Sequence, residues 1–420
     1  MKQLQTESPN RAFDRVIWVV LDGVGAGELP DAAVYGDGGS NTLGNLARVY
    51  HQKTGKKLHL PHLQAWGLGN ITDIDGVPAV KPAAGIQGEG AFGRAIELSS
   101  GKDTTSGHWE MAGLVVSKAF PTYPHGFPQD VINRWCQENG LSGVLGNKAA
   151  SGTEILDELG LEHLRTGKPI LYTSGDSVWQ VACHEEAFGL QRLYDICKSA
   201  RKICDELQVG RVIARPFIGN PAEGKPFKRT YHRKDYSQIP FGDTILDHLV
   251  RKGVATLGIG KISNIYAGRG IQKNIDTEGN TDGIRVLIEQ MQSVKSGLIF
   301  CNLIDFDMLY GHRRDVIGFA GALEEFDSKI PEMKAQMGER DLLILAADHG
   351  NDPTFPGSDH TREYIPLLAY TPAMKKSGPV DLGTRLSFGD VGATITHALL
   401  GDEKLSQDLA GHSFLGRLVS

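Results

Sequence analysis

The sequence predicts an α/β protein whose core has a central, mostly parallel sheet with helices on both faces, interrupted by a smaller inserted α/β domain. Three observations point there. Apolar runs too short for helices and bounded by turn formers occur at 16–21, 297–304 and 342–347, as expected of fully buried strands. From residue 241 onward such runs alternate with helical patterns, the signature of a parallel sheet. Between about 120 and 237 the chain has its own helices and strands, entered past Pro121, Pro124 and Pro128 and left through the basic segment KPFKRTYHRKDY. The expected domains are therefore 1–119 and 238–420, forming the core, and 120–237, forming the insertion.

Taken in order, 16–21 (VIWVVL) is the first strand, and Asp22 follows it at once. The next segment, GVGAGELPDA, is no dinucleotide fingerprint, because Gly27 comes one residue early and no helical pattern opens there. A short helix is expected over 42–50. Residues 67–95 are rich in Gly and Pro and show no clear period. In the insertion, 169–174 and 211–217 read as strands and 190–207 as a long helix, on which Cys197 and Cys204 share a face as core residues. Beyond it come a helix at 244–252, a strand at 254–259, a helix at 282–293, a strand at 365–370 and a last helix at 391–400. GVATLGIGKIS fails as a phosphate loop: Ala255 stands where a glycine is required and Lys261 is followed by Ile262.

The chain of 420 residues is 40% hydrophobic and 22% charged, enough to build a sizeable core, and its net charge of −6 argues against a nucleic-acid binder. Five cysteines with no CxxC pair suit a reducing compartment. With no apolar leader and no run of membrane-spanning length, a cytoplasmic protein is expected.

The stretch around which the rest is organised is DLLILAADHGNDPTFPGSDHTREY, residues 341–364. Its buried run ends in Asp348 and His349, and a Gly/Pro/Asn-rich loop leads on to Asp359 and His360. Runs ending at Leu21 and Ile304 are likewise followed by Asp22 and by Asp305 with Asp307, and His312 lies five beyond Asp307. Ligands of open parallel sheets sit outside the carboxyl ends of the strands, so neighbouring strands would bring these side chains together. Mixed Asp and His donors suit Mn, Zn or Fe better than Ca or Mg. The set is large enough for two divalent ions, an arrangement suited to in-line displacement at phosphorus. Nearby, GKDTTSGHWEMAG offers three consecutive hydroxyls, Thr104, Thr105 and Ser106, as nucleophiles or as helix caps; spacing alone does not choose among them.

Together, the DG after the first strand, GKDTTSGHWE, DFDMLYGHRRD and ADHGNDP…DHTREYIPLLAY resemble the bacterial-type phosphopentomutase family of the alkaline phosphatase superfamily. The likeness runs nearly the whole chain and includes NKAASGTEILDELG, YTSGDSV and GRVIARPF in the insertion. It implies an alkaline phosphatase-like core with an inserted cap. One metal would be held by Asp22, Asp348 and His349 with the nucleophile, the other by Asp307, His312 and His360. Thr104 would be the nucleophile and phosphate carrier. Ser174 and Asp176 would contact sugar hydroxyls, and Arg211, Arg229 and Lys261 would clamp the non-reacting phosphate. Gly175 stands where the family usually has Ala. The implied activity interconverts the 1- and 5-phosphates of ribose and deoxyribose through a sugar bisphosphate, which also serves as activator, with two Mn²⁺ per chain and no nucleic-acid or membrane partner.

Three other readings compete. A cofactor-independent phosphoglycerate mutase shares the two-metal core but has a serine nucleophile and a different insertion. A phosphatase or sulfatase of the same fold would not need about 115 inserted residues able to exclude water. A binding protein with structural metals would not need a hydroxyl beside strand-end carboxylates.

Overall fold

The computed structural model describes residues 11–80, 89–152, 154–174, 177–374, 378–401 and 409–419. The chain divides into two compact units, residues 1–119 with 240–420, and residues 120–239.

The larger unit is built on an eight-stranded sheet. Its strands lie in the order Lys273–Ile275, Thr256–Ile259, Gly297–Leu303, Arg15–Leu21, Asp341–Ala346, Ile365–Tyr370, Ala91–Ala95 and Val380–Arg385. Only Ile365–Tyr370 runs against the others. Arg15–Leu21 lies at the centre, in register with Gly297–Leu303 on one side and Asp341–Ala346 on the other. Every residue of these three strands is buried, which explains why they read as continuous apolar runs without alternation. Helices Asn280–Ser293 and Gly389–Leu400 pack on the sheet, the first joined by Val316–Lys334 and the second by Thr104–Met111 and Ile245–Arg251. The architecture is the expected α/β one.

Three of the eight strands escape the periodicity argument. Lys273–Ile275, with three residues, is too short to show a period. Ala91–Ala95 falls in the stretch without a clear period, and Val380–Arg385 carries no apolar run. They pair with each other near the sheet edge, where the register slips between Asp381 and Gly383. Their sequences, AFGRA and VDLGTR, become strands through tertiary pairing and not through propensity.

The smaller unit has a six-stranded mixed sheet, with Leu145–Ala149, Ile170–Thr173, Val178–His184, Arg211–Asn220 and Lys225–Arg229 in that order and Lys234–Ser237 also pairing with Arg211–Asn220. Helix Leu190–Glu206 buries Cys197 and Cys204 in its core beside Trp135 and Trp179. Among the described residues no helix is long and apolar enough to cross a membrane.

Candidate active site

Because the three central strands are adjacent and parallel, the residues that follow them meet at one edge of the sheet. Asp22 succeeds Leu21 directly, and Asp348 lies two residues past the strand Asp341–Ala346. The third segment turns, immediately after Gly297–Leu303, into a π-helix at Phe306–Gly311 that carries Asp307 and is capped by His312. A π-helix inside a loop of this kind is uncommon and recurs at functional sites. Asp305 does not join the cluster, since its carboxylate accepts from the Asn280 N–H at 2.6 Å.

Two groups of donor atoms result. Asp307, His312 and His360 form one, and Asp22, Asp307 and His349 the other, with all atoms of a group within 4.8 Å of one another. Asp307 belongs to both. In the first group, His360 Nε2 lies 3.2 Å from His312 Nε2 and 3.2 Å from Asp307 Oδ1. His312 Nε2 is 3.3 Å from Asp307 Oδ2. The other ring nitrogen of His312 is 2.7 Å from the Ser358 carbonyl, which takes its proton and leaves Nε2 as a lone-pair donor. His349 is arranged the same way. Its Nδ1 meets the Gly350 carbonyl at 3.1 Å, and its Nε2 faces Asp22 Oδ1 and Asp348 Oδ2, each at 3.4 Å. The His349 and His360 rings stack with centroids 3.9 Å apart, joining the two groups.

Asp22 and Asp348 are almost fully buried, at 1% and 0% exposure, and among the described residues no arginine or lysine is paired with either. One oxygen of each is already engaged: Asn302 Nδ2 donates to Asp22 Oδ2 at 2.9 Å, and the Gly23 N–H donates to Asp348 Oδ1 at 3.0 Å. Asp22 Oδ1 is buried without a hydrogen bond, and Asp348 Oδ2 meets only the imidazoles of His349 and His108. Buried carboxylate oxygens that meet only imidazole nitrogens fit divalent cations, because burial of such charge needs a counter-charge. Burial, reinforced by Asp348, raises the Asp22 carboxyl above its ordinary range. Burial would also raise Asp307, but His312 and His360 hold it well below. Burial would lower His349, yet Asp348 and Asp22 lift it well above the usual imidazole value.

Geometry distinguishes the three hydroxyls. Asp103 caps the helix Thr104–Met111, its Oδ1 accepting from the backbone N–H of Thr105 at 3.0 Å and of Ser106 at 3.2 Å. The cap is therefore a carboxylate, not one of the hydroxyls. Ser106 Oγ donates to Asp103 Oδ2 at 2.7 Å and is committed to the cap. Thr104 Oγ1 instead stands 3.3 Å from His349 Nε2. The helix approaches so closely that a Cβ on Gly107 would collide with the Asp348 carbonyl. His108, one turn on, places Nδ1 2.9 Å from the Thr104 carbonyl and 3.0 Å from Asp348 Oδ2.

The remaining expected contacts are distributed over both units. Lys261 caps the short helix Ile262–Ile265 in the larger unit. In the smaller unit Ser174 follows the strand Ile170–Thr173, while Asp176 lies outside the described residues. Arg211 opens the strand Arg211–Asn220. Arg229 ends Lys225–Arg229, with Nη2 3.5 Å from Tyr172 Oη and Nε buried without a hydrogen bond. Two further arginines gather with Arg229, and the sequence reading passed over both. Arg215 donates to Gln180 Oε1 at 2.6 Å, and Arg233 makes a two-pronged pair with Asp235, both contacts at 2.7 Å. Burial, together with Arg233 and Arg229, pushes Arg215 down to about 10. Asp235 pairs with Arg233, and its charge also reaches Arg215. The signal in the sequence is the arginine inside the otherwise apolar VIARPF, on the same strand face as Arg211 but four residues along.

Residues 14–403 match the family model described as the Metalloenzyme superfamily. The phosphopentomutase of Caldanaerobacter subterraneus subsp. tengcongensis is 53% identical over 384 residues, covering 91% of this chain and 93% of its own. Those of Acetivibrio thermocellus and Symbiobacterium thermophilum are 50% and 52% identical, covering 96% and 92% of this chain and 100% and 95% of theirs. On that identity, sustained along nearly the full length, the chain belongs to the phosphopentomutase family, within the metalloenzyme superfamily.

Proposed function

We propose that the protein interconverts the 1- and 5-phosphates of ribose and deoxyribose, with Thr104 as the phosphoryl carrier and a sugar bisphosphate as intermediate and activator. The observation that carries the reading is the 3.3 Å approach of Thr104 Oγ1 to His349 Nε2, which neither neighbouring hydroxyl shares. Asp22, Asp348 and His349 would hold one Mn²⁺ with Thr104, and Asp307, His312 and His360 the other. Bound there, the ions would neutralise charge on the transferring group and lower the pKa of the attacking hydroxyl.

The chain's own part follows from its geometry. Thr104 is the first residue of an eight-residue helix, so a phosphoryl group on its oxygen meets the positive end of the helix dipole. The first transfer breaks the bond from phosphorus to the Thr104 oxygen and forms one to the free sugar hydroxyl, whose proton is released. The bisphosphate then returns its other phosphoryl group to Thr104 and regains a proton on the oxygen set free. The Asp103 cap and the His108 contacts hold Thr104 in place through both halves. In the insertion, Arg215, Arg229 and Arg233 would grip a phosphate dianion, for which the guanidinium fork is suited. Ser174, Asp176, Arg211 and Lys261 are proposed as additional substrate contacts. Five buried free thiols suit residence in the cytoplasm.

A coupled assay for ribose 5-phosphate formed from ribose 1-phosphate, run with Mn²⁺ and a sugar bisphosphate, tests the reading. Turnover of 3-phosphoglycerate in its place would overturn it. Mass spectrometry after incubation with the bisphosphate should find one added phosphate on Thr104, and its presence on Thr105 or Ser106 would refute the assignment.

A further inference from the structure

The motif DFDMLYGHRRD contains two adjacent arginines, and nothing above gives the second one a task. Arg314 adopts a left-handed backbone conformation, φ +56°, which is uncommon for a residue with a side chain. Its guanidinium makes five hydrogen bonds. Nε donates to the Gly357 carbonyl at 2.6 Å and Nη2 to the Asp359 carbonyl at 3.0 Å. Nη1 reaches the Gly311 carbonyl at 3.1 Å, Asn351 Oδ1 at 2.7 Å and the Asp352 carbonyl at 2.9 Å. One side chain thus ties the π-helical segment that carries Asp307 and His312 to the irregular segment that ends in His360.

We infer that Arg314 is a positioning residue that sets all three ligands of the second metal site. The inference rests on reading Asp307, His312 and His360 as metal ligands. Each is reached by a separate branch. Asn351, held through its Oδ1 by Arg314, donates from Nδ2 to Asp307 Oδ1 at 2.7 Å. The bonds to Gly357 and Asp359 flank Ser358, whose carbonyl receives the Nδ1 proton of His312 and so orients that ring. His360 directly follows Asp359, so fixing the Asp359 carbonyl fixes the start of the ligand residue. The segment from 353 to 359 has no helix or strand of its own to hold it. The planar five-donor fork is what the task needs, and a lysine ammonium, with three donors at one point, cannot span these acceptors. No contact of Arg314 reaches Asp22, Asp348 or His349; only the Asp307 branch touches a residue shared by both groups, so its main effect falls on the second site.

Mn²⁺ titration of the metal-free protein by calorimetry separates the possibilities. Wild type should bind two ions; fewer would overturn the metal reading and, with it, the inference that rests on it. A His349→Ala background isolates the second site, and there Arg314→Ala should lower Mn²⁺ affinity about 10–100-fold, the usual cost of losing a group that orients ligands. Arg314→Lys should fail to restore it, while added guanidinium should recover part of the loss in Arg314→Ala. In a His360→Ala background, which leaves only the first site, the same substitution should lower affinity by a clearly smaller factor, passed on only through the shared Asp307. The melting temperature of each metal-free variant reports general damage. Unchanged affinity in the His349→Ala background, or equal losses in both backgrounds, would overturn the inference. Should Arg314→Ala not fold, Asn351→Ala cuts the branch to Asp307 alone, and an intact second site in that variant would overturn it equally.

Discussion

Thr104 Oγ1 lies 3.3 Å from His349 Nε2, and that single distance separates one hydroxyl from two neighbours of the same chemistry. Thr104→Ala should lose mutase activity by on the order of 10⁴-fold while still binding Mn²⁺. Ser106→Ala removes a hydroxyl that serves only the Asp103 cap. It should cost about 1 kcal/mol of stability and change kcat by a few-fold at most. Steady-state kinetics beside thermal melts would decide, and equal activity losses in the two variants would contradict the division of labour.

The two donor groups predict separable metal sites. Chelation should abolish activity, and Mn²⁺ should restore it better than Mg²⁺ because each group mixes carboxylate with imidazole. His360→Ala and His349→Ala should each reduce bound Mn²⁺ from two ions to one, counted by elemental analysis after dialysis. Full occupancy in either variant would remove that histidine from the ligands.

For the phosphate contacts, Arg215→Lys and Arg233→Lys keep the charge but lose the fork. Each should raise KM for the sugar phosphate about tenfold, with a smaller change in kcat. Arg211→Lys, four residues along the strand from Arg215, should do less. If only Arg211→Lys raised KM, the cluster of Arg215, Arg229 and Arg233 would be a structural feature.

Glu363 supplies a pH prediction. Its carboxyl is buried and accepts from the N–H groups of Gly27 and Thr42 and from the hydroxyls of Thr42 and Thr361, at 2.6–3.1 Å. Burial lifts it from 4.5 to about 7 despite those bonds. Between pH 4.5 and 7 the folded protein therefore holds a proton that the unfolded chain has released, and stability falls as pH rises. The loss amounts to about 3 kcal/mol at most. Glu363→Gln has no proton to lose and should lack this slope. Its amide oxygen can face the two N–H donors, and the two hydroxyls can turn to accept from its NH₂. Urea unfolding of both metal-free proteins at pH 5 and pH 8 measures the difference. Parallel curves would mean that the carboxylate is ionised throughout.

The sequence by itself determined the fold class and offered the candidate ligands at the strand-end edge of the sheet. Strands buried on both faces have no polar alternation to blur them, so 16–21, 297–304 and 342–347 stood out as apolar runs. Whatever followed them had to emerge at the same sheet edge, so Asp22, Asp305 with Asp307, Asp348 and His349 could be named as candidates from order alone, and only the structure set Asp305 aside. Long motifs then tied the chain to its family.

Tertiary structure decided what depends on direction and not on order. Thr104, Thr105 and Ser106 are equivalent in a sequence, and only the packing of their helix against Asp348 turns the first toward His349. Arg215 and Arg233 lie eighteen residues apart, and only strand pairing in the insertion gathers them with Arg229. The strand Ala91–Ala95 exists through its pairing with Ile365–Tyr370 and Val380–Arg385, and Val380–Arg385 through its pairing with Ala91–Ala95, non-local interactions that no window of residues contains. Arg314 reads as one basic residue in a basic pair. Its five acceptors are backbone carbonyls and one amide from three loop segments, and backbone carbonyls leave no mark in a sequence.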